Sequence, residues 1–255
     1  MIVPDAGFRA VLFDLDDTLF PQSAWLDGAW AAVAAAAVRV AGPDSGRHDS
    51  GPHDAGLHDA GRFKAGRFEA ALRRVAGRGT AQGGIIDKAL AETGLDVPVA
   101  PLVDVFRSHR PERLEPYPGV AHGLARLART VPLGLVTDGE PGIQRGKVAA
   151  LGLGPFFRAV VFSDELGRQR RKPDPAPFLA ALEMLGVAAG AVVFVGDNPA
   201  KDVAGAAALG MTTIRVRTGE YAQSEASVPA DHDVATVADA LTLLDALLSP
   251  RSVGV

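Results

Sequence analysis

Four short stretches carry the residues best suited to chemistry: Asp14-Leu15-Asp16-Asp17-Thr18, Thr137-Asp138-Gly139, Arg171-Lys172-Pro173, and Gly196-Asp197-Asn198-Pro199 followed by Asp202. Three of them follow an apolar run directly, and the lysine stretch lies in the loop after another, beyond Ser163-Asp164. Alternation along a strand allows Asp14 and Asp16 to point to the same side of the local chain. Carboxylates gathered in one cleft repel one another, by about 1 kcal/mol per pair at about 4 Å in water and by more in a drier site. A cation relieves that repulsion. All-oxygen donors select a hard ion, and Mg²⁺ is the usual one beside phosphate.

Read singly, each stretch has a plainer explanation. Asp16 and Asp17 could cap the turn that follows, and Thr137 could be an ordinary N-cap. Lys172, after Arg170 and Arg171, could belong to a solvated basic loop, and Gly196-Asp197 could be a simple turn. Their order, each beyond a strand-like run, is what argues for a common site.

The elements that must position them are legible as apolar runs. Strands are predicted at about 9–14, 132–137, 158–162, 191–195 and 212–216, with helical patterns at about 141–151, 173–186 and 200–209. A last amphipathic stretch, Val234 to Leu248, places Val237, Leu241, Leu244 and Leu248 on one face. Runs apolar on both faces suit a parallel sheet, and the alternation predicts a doubly wound, Rossmann-like α/β fold. In such sheets ligands bind beyond the carboxyl ends of the strands, where the four stretches would lie.

The interval between the first two strands is too long for one crossover. Residues 1–19 and 116–255 are therefore read as an α/β core, and 20–115 as an inserted helical cap. Its first helix would start at Ser23 as N-cap and carry Trp25, Ala29, Val33 and Ala37, with further helices at about 64–76, 83–93 and 99–109. Pro111, Pro116 and Pro118 stiffen the return. A low-complexity insertion occupies about 42–62, where HDSGP-HDAGL-HDAGR repeats every five residues. Its His48, His53 and His58 invite a metal reading. A period of five fixes no side chains in space, however, and that density of Gly, Pro and Asp predicts an insertion without a helix.

Composition excludes several classes. With no cysteine, disulfides, thiol nucleophiles and cysteine-ligated zinc are ruled out. The net charge of −4 and scattered basic residues argue against a nucleic-acid partner, though not against a small anionic substrate. The start of the chain carries no signal-peptide pattern, and the apolar run Gly28 to Val38 is short of the roughly 20 residues that cross a bilayer. The expectation is a soluble cytoplasmic protein with neither membrane nor nucleic-acid partner, monomer or homodimer.

Together FDLDDTL (13–19), VTDG (136–139), RKPDP (171–175) and VGDNPAKD (195–202) resemble the motifs of the haloacid-dehalogenase-like superfamily of hydrolases. The resemblance covers roughly 8–19 and 116–247, and the cap placement is similar to that of the subgroup with a helical cap after the first motif. It implies a phosphatase-like enzyme acting on a small phosphorylated metabolite with Mg²⁺. Asp14 would be the nucleophile that forms an aspartyl-phosphate, and Asp16 the acid and then the base. Thr137 and the backbone at Asp138 and Gly139 would hold phosphoryl oxygens, and Lys172 would neutralise charge. Asp14, the Asp16 backbone carbonyl and Asp197 would bind the metal, with Asp202 assisting directly or through water. Asp17 and Thr18 would shape the turn. Dehalogenases of the superfamily lack the second aspartate of the first motif, so Asp16 implies an alkoxide rather than a halide leaving group.

Three other readings keep the same motifs in part. A sugar phosphomutase would share the core and both aspartates. A receiver-like signalling domain also presents acidic residues, a Thr and a Lys on a parallel sheet, but at about half this length. A non-catalytic binding protein of the same fold would need no intact motifs. In the cap, Trp25 and Trp30 are read as packing residues rather than a stacking platform. Arg107, His109, Arg110 and Arg113 are read as a solvated helix end rather than an anion site.

Overall fold

The computed structural model describes residues 7–42, 54–80 and 83–249, with side chains from residue 64 onward in the second stretch. The chain divides into two compact units, Met1–Gln22 with Glu112–Val255, and Ser23–Pro111.

The first unit is built on six parallel strands: β1 (Ala10–Phe13), β2 (Leu133–Thr137), β3 (Phe157–Phe162), β4 (Val192–Gly196), β5 (Thr212–Val216) and β6 (His232–Val234). Their order in the sheet is β3-β2-β1-β4-β5-β6. The chain direction across the sheet therefore reverses between β1 and β4, whose registers pair Ala10 with Val192 and Phe13 with Val195. This is the α/β, doubly wound arrangement expected of these apolar runs. Its crevice lies beyond the carboxyl ends of β1 and β4. Every residue of β1, β2 and β4 is buried, the signature of a sheet covered on both faces.

In chain order, the helices of this unit come after four that the described residues of the other form. These four are α1 (Gln22–Ala41), α2 (Asp54–Ala76), α3 (Ile85–Thr93) and α4 (Val99–Ser108). The sheet unit then adds α5 (Val120–Leu127), α6 (Pro141–Leu151), α7 (Pro175–Leu185), α8 (Ala204–Ala208) and α9 (Val237–Leu248). Phe178, Ala181 and Leu182 of α7 and Ala206 of α8 join Leu12, Val136 and Phe194 in one apolar cluster on the sheet. α9 starts from a capping box in which Thr236 and Asp239 satisfy each other's backbone N–H groups.

The helical unit buries Trp30, Val33, Phe68, Leu72, Ile86, Leu90 and Leu102 in a core of its own. Trp30 stacks on Phe106 at 4.7 Å between centroids, and Trp25 meets the same ring edge-on at 5.1 Å. Both tryptophans are thus interior packing residues. Arg107 and Arg110 are exposed, and His109 packs its ring against Trp25.

Three expectations need correction here. α1 starts at Gln22 rather than after a Ser23 cap, with the Gln22 N–H held by the Asp17 carboxylate at 2.9 Å. The apolar run Gly28 to Val38 is part of a 20-residue helix, and by length and hydropathy that helix could cross a bilayer. Trp25, Ala29, Trp30, Val33, Ala34, Ala36 and Ala37 along it are instead buried within the protein. Finally, residues 54–62 of the repeat are helical, as the opening turns of α2. The repeat's Pro52 precedes that start, and Ala55, Leu57, Ala60 and Arg62 are helix formers able to offset Gly56 and Gly61. The metal reading of His48, His53 and His58 falls outside the described residues and side chains.

Candidate active site

The residues singled out in the sequence converge at the reversal point of the sheet. The chain leaving β1 is tied to β4 by the Asp14 N–H, which donates to the Val195 carbonyl at 2.9 Å. It then turns sharply, with Asp17 in the left-handed region at φ 58°. That strained residue is held by its own side chain, which accepts from the Gln22 and Glu220 N–H groups at 2.9 and 3.1 Å. Gly219, at φ 60°, leaves the room that the Asp17 carboxylate occupies; a Cβ there would collide with it. The loop carrying Gly219 and Glu220 is fixed in turn by the buried Arg215, which donates to the Tyr221 and Ser224 carbonyls at 2.8 and 2.7 Å.

Asp14 meets Lys172 directly. The Lys172 Nζ lies 2.5 Å from Asp14 Oδ1, 2.7 Å from Asp202 Oδ1 and 3.1 Å from the Val136 carbonyl. Lys172 is 4% exposed, so this ammonium is held almost wholly by protein groups. It comes from the loop after β3, whose Lys172–Pro173 peptide is cis. Asp202 sits in a π-helical turn, Pro199–Val203, capped by the Asn198 side chain. Its second oxygen accepts the Asn198 N–H at 3.0 Å. Gly196 permits this approach, since a Cβ there would stand 2.5 Å from Asp202 Oδ2.

Asp14, Asp197 and Asp202 each offer an oxygen, and those atoms lie within 4.8 Å of one another. Thr18 Oγ1 donates to Asp197 at 3.3 Å. Three buried carboxylates thus share one ammonium, and the cluster is short of positive charge. Burial pushes Asp14 up to about 7 against the pull of Lys172, and the Asp202 charge adds to the rise. Asp197 is raised well above its ordinary value, by burial first and then by Asp202 and Asp14. Burial alone would depress Lys172, but Asp14 and Asp202 outweigh it and hold the ammonium above its usual range. An all-oxygen set with surplus negative charge fits a hard divalent cation.

The remaining candidates follow β2 and β1. Thr137, at the end of β2, is fully buried, and its hydroxyl oxygen accepts from Gln144 Nε2 at 2.6 Å. The Asp138 side chain turns toward Ser163, the Lys172 N–H and Lys201, at 2.7, 3.2 and 3.3 Å. Gly139 follows at φ 130° and leads into α6, whose first turn is capped by Glu140. Asp16 is separate from the three-carboxylate cluster: Lys147 Nζ reaches its two oxygens at 2.7 and 2.9 Å, and Gln144 reaches one at 2.8 Å.

The family model of the haloacid dehalogenase-like hydrolases matches residues 8–210. The chain belongs to that family. Among its relatives, it is 39% identical over 128 residues to the glyceraldehyde 3-phosphate phosphatase of Methanopyrus kandleri, covering 50% of this chain and 54% of the relative. It is 40% identical over 115 residues to a phosphoglycolate phosphatase of Rhodospirillum rubrum, covering 45% and 46%. It is also 34% identical over 149 residues to the (S)-2-haloacid dehalogenase of Xanthobacter autotrophicus, covering 57% and 56%. The chain therefore spans about half the length of these relatives. Among solved structures, a HAD phosphatase from Thermococcus onnurineus aligns with TM-score 0.57 and 26% identity, over 92% of this chain and 97% of that one. A 2-haloacid dehalogenase from Pseudomonas syringae aligns with TM-score 0.58 and 28% identity, over 94% and 99%.

Within this haloacid dehalogenase-like site, sequence reasoning missed Gln144, Lys147 and Arg215. A signal for the first two existed. They fall on the buried face of α6 with Ile143, Val148 and Leu151, where a polar side chain needs a buried partner. Arg215, on the buried strand β5 between Ile214 and Val216, carried the same signal.

Proposed function

We propose that the chain hydrolyses a small phosphate monoester with Mg²⁺, through an aspartyl-phosphate on Asp14. The observation that carries this reading is the Asp14–Lys172 contact inside a buried, charge-deficient cluster with Asp197 and Asp202. Mg²⁺ held by Asp14, Asp197 and the Asp16 backbone carbonyl, with Asp202 direct or through water, would neutralise charge on nucleophile and phosphoryl group.

Asp14 attacks phosphorus in line, and the ester oxygen departs with the proton of Asp16. Asp16, now a carboxylate, takes a proton from the water that attacks the same phosphorus, and phosphate leaves. Thr137 and the N–H groups of Asp138 and Gly139 hold phosphoryl oxygens, while Lys172 balances their charge. Such esters are slow to hydrolyse, with accelerations up to about 10²¹ or roughly 28 kcal/mol, and the burden is shared among positioning and charge.

Asp16 favours ester hydrolysis over dehalogenation. A halide leaves without a proton, whereas an alkoxide needs one, and here a carboxyl two residues from the nucleophile can supply it. The names of the relatives, for glyceraldehyde 3-phosphate and phosphoglycolate, support two- and three-carbon phosphates as the first esters to try. We read the helical unit as the cap of the subgroup that the sequence resembles. The test is release of phosphate from a panel of such esters with and without Mg²⁺. Steady release is expected; retransfer of the phosphoryl group to a sugar would indicate a mutase, and no release with any ester would refute the reading.

A further inference from the structure

Lys147 and Gln144 stand three residues apart on α6 and converge on Asp16. They are 3% and 1% exposed, while the Asp16 side chain keeps 18%. Burying an ammonium carries a desolvation penalty of several kcal/mol that a single ion pair roughly returns, and an apolar side chain of similar size would serve stability as well. Lys147 is therefore poorly explained as support for the fold.

Its effect on Asp16 is geometric. Three hydrogen bonds to two oxygens fix both side-chain rotations of the aspartate. Because Lys147 reaches each oxygen, one can exchange a proton while the other stays tethered. The Gln144 amide adds a second constraint. A carboxylate only accepts, so Nε2 must face Asp16, and the same group donates to Thr137 Oγ1 at 2.6 Å. The Thr137 hydroxyl then accepts there and directs its own hydrogen elsewhere, toward any phosphoryl oxygen lodged beside it.

We propose that Lys147 and Gln144 are positioning residues that aim the Asp16 carboxyl at the leaving oxygen and the Thr137 hydroxyl at the phosphoryl group. This rests on the phosphatase reading above. In the step they serve, the bond from phosphorus to the leaving oxygen breaks. The electron pair stays on that oxygen, and the Asp16 proton moves to it.

The test compares glycerol phosphate, whose alkoxide must be protonated, with 4-nitrophenyl phosphate, whose phenolate leaves unaided. In Lys147→Met, kcat for the alkyl ester should fall by about 10²-fold or more, the scale of general-acid assistance, and about tenfold less for the aryl ester. KM should stay within about threefold, since uniform binding is not what is lost. Lys147→Arg should recover part of the alkyl activity. Equal losses on both esters, or none, would overturn the proposal. If Lys147→Met does not fold, Gln144→Leu replaces it in the same comparison: a larger loss on the alkyl ester supports the positioning role, and equal losses or none overturn it. Asp16→Asn separates the two levels of inference. Leaving-group bias in Asp16→Asn but not in Lys147→Met sinks the positioning role alone. Absence of bias in Asp16→Asn sinks the acid assignment, and the positioning role with it.

Discussion

The ammonium of Lys172 sits 2.5 Å from Asp14 Oδ1 and 2.7 Å from Asp202 Oδ1, joining a residue after β1 to one after β4. One buried cation thus spans the reversal point of the sheet. It leaves Asp197 and part of the charge on its two partners to be balanced by something else.

Removing that cation gives a first prediction. Lys172→Met should lower kcat by about 10²–10³-fold, the range seen when one preorganised electrostatic donor is lost. It should also destabilise the metal-free protein by about 3 kcal/mol near pH 8, because a buried partner is left uncompensated. Near pH 6 the cost should shrink, since the carboxylates can take up protons. Thermal melts at the two pH values read the difference; equal costs would count against the charge argument.

A second prediction concerns protons and metal. In the metal-free protein Asp14 is pushed up to about 7, far above its unfolded value of 3.8. Between those values the folded state binds a proton that the unfolded state does not, so this group's contribution to stability falls as pH rises. Metal binding must displace that proton. Mg²⁺ affinity should therefore weaken below pH 7, by up to about tenfold per pH unit if one proton is released. Calorimetric titration in buffers of differing ionisation enthalpy counts the protons, and affinity independent of pH from 6 to 8 would refute the linkage.

Much of this site could be read from residue types alone, because each apolar run is short and the polar group follows it within a few positions. Asp14, Thr137 and Asp197 were legible in that way, and Lys172 from its place in the loop after the third run. What stayed hidden depends on contacts distant in sequence. Asp17 is held by Glu220, which no local spacing announces, and Asp16 by Lys147, whose spacing on α6 marks it as buried without naming its partner. β6 is three residues long and only partly buried, too little for an apolar pattern to register. α5 does carry an apolar pattern, with Val120, Leu124 and Leu127 at helical spacing, and went unpredicted beside the prolines that precede it. In the repeat, composition pointed away from helix while residues 54–62 continue the strongly helical segment behind them.

A third prediction follows from close packing at the end of β4. Gly196→Ala places a methyl group 2.5 Å from Asp202 Oδ2, and the carboxylate must move. The fold should survive, but Mg²⁺ affinity should drop by about 10–100-fold, as when a ligand's support is lost. Unchanged affinity would remove Asp202 from the metal site.

The central claim is that Asp14 carries the phosphoryl group during turnover. Acid-quenching the chain during hydrolysis of a radiolabelled monoester, then digesting it, should yield a hydroxylamine-labile label on the peptide containing Asp14. Asp14→Asn should show neither label nor turnover, the latter reduced on the order of 10⁶-fold as for other lost nucleophiles. Label on a different peptide, or full turnover by Asp14→Asn, would contradict the account.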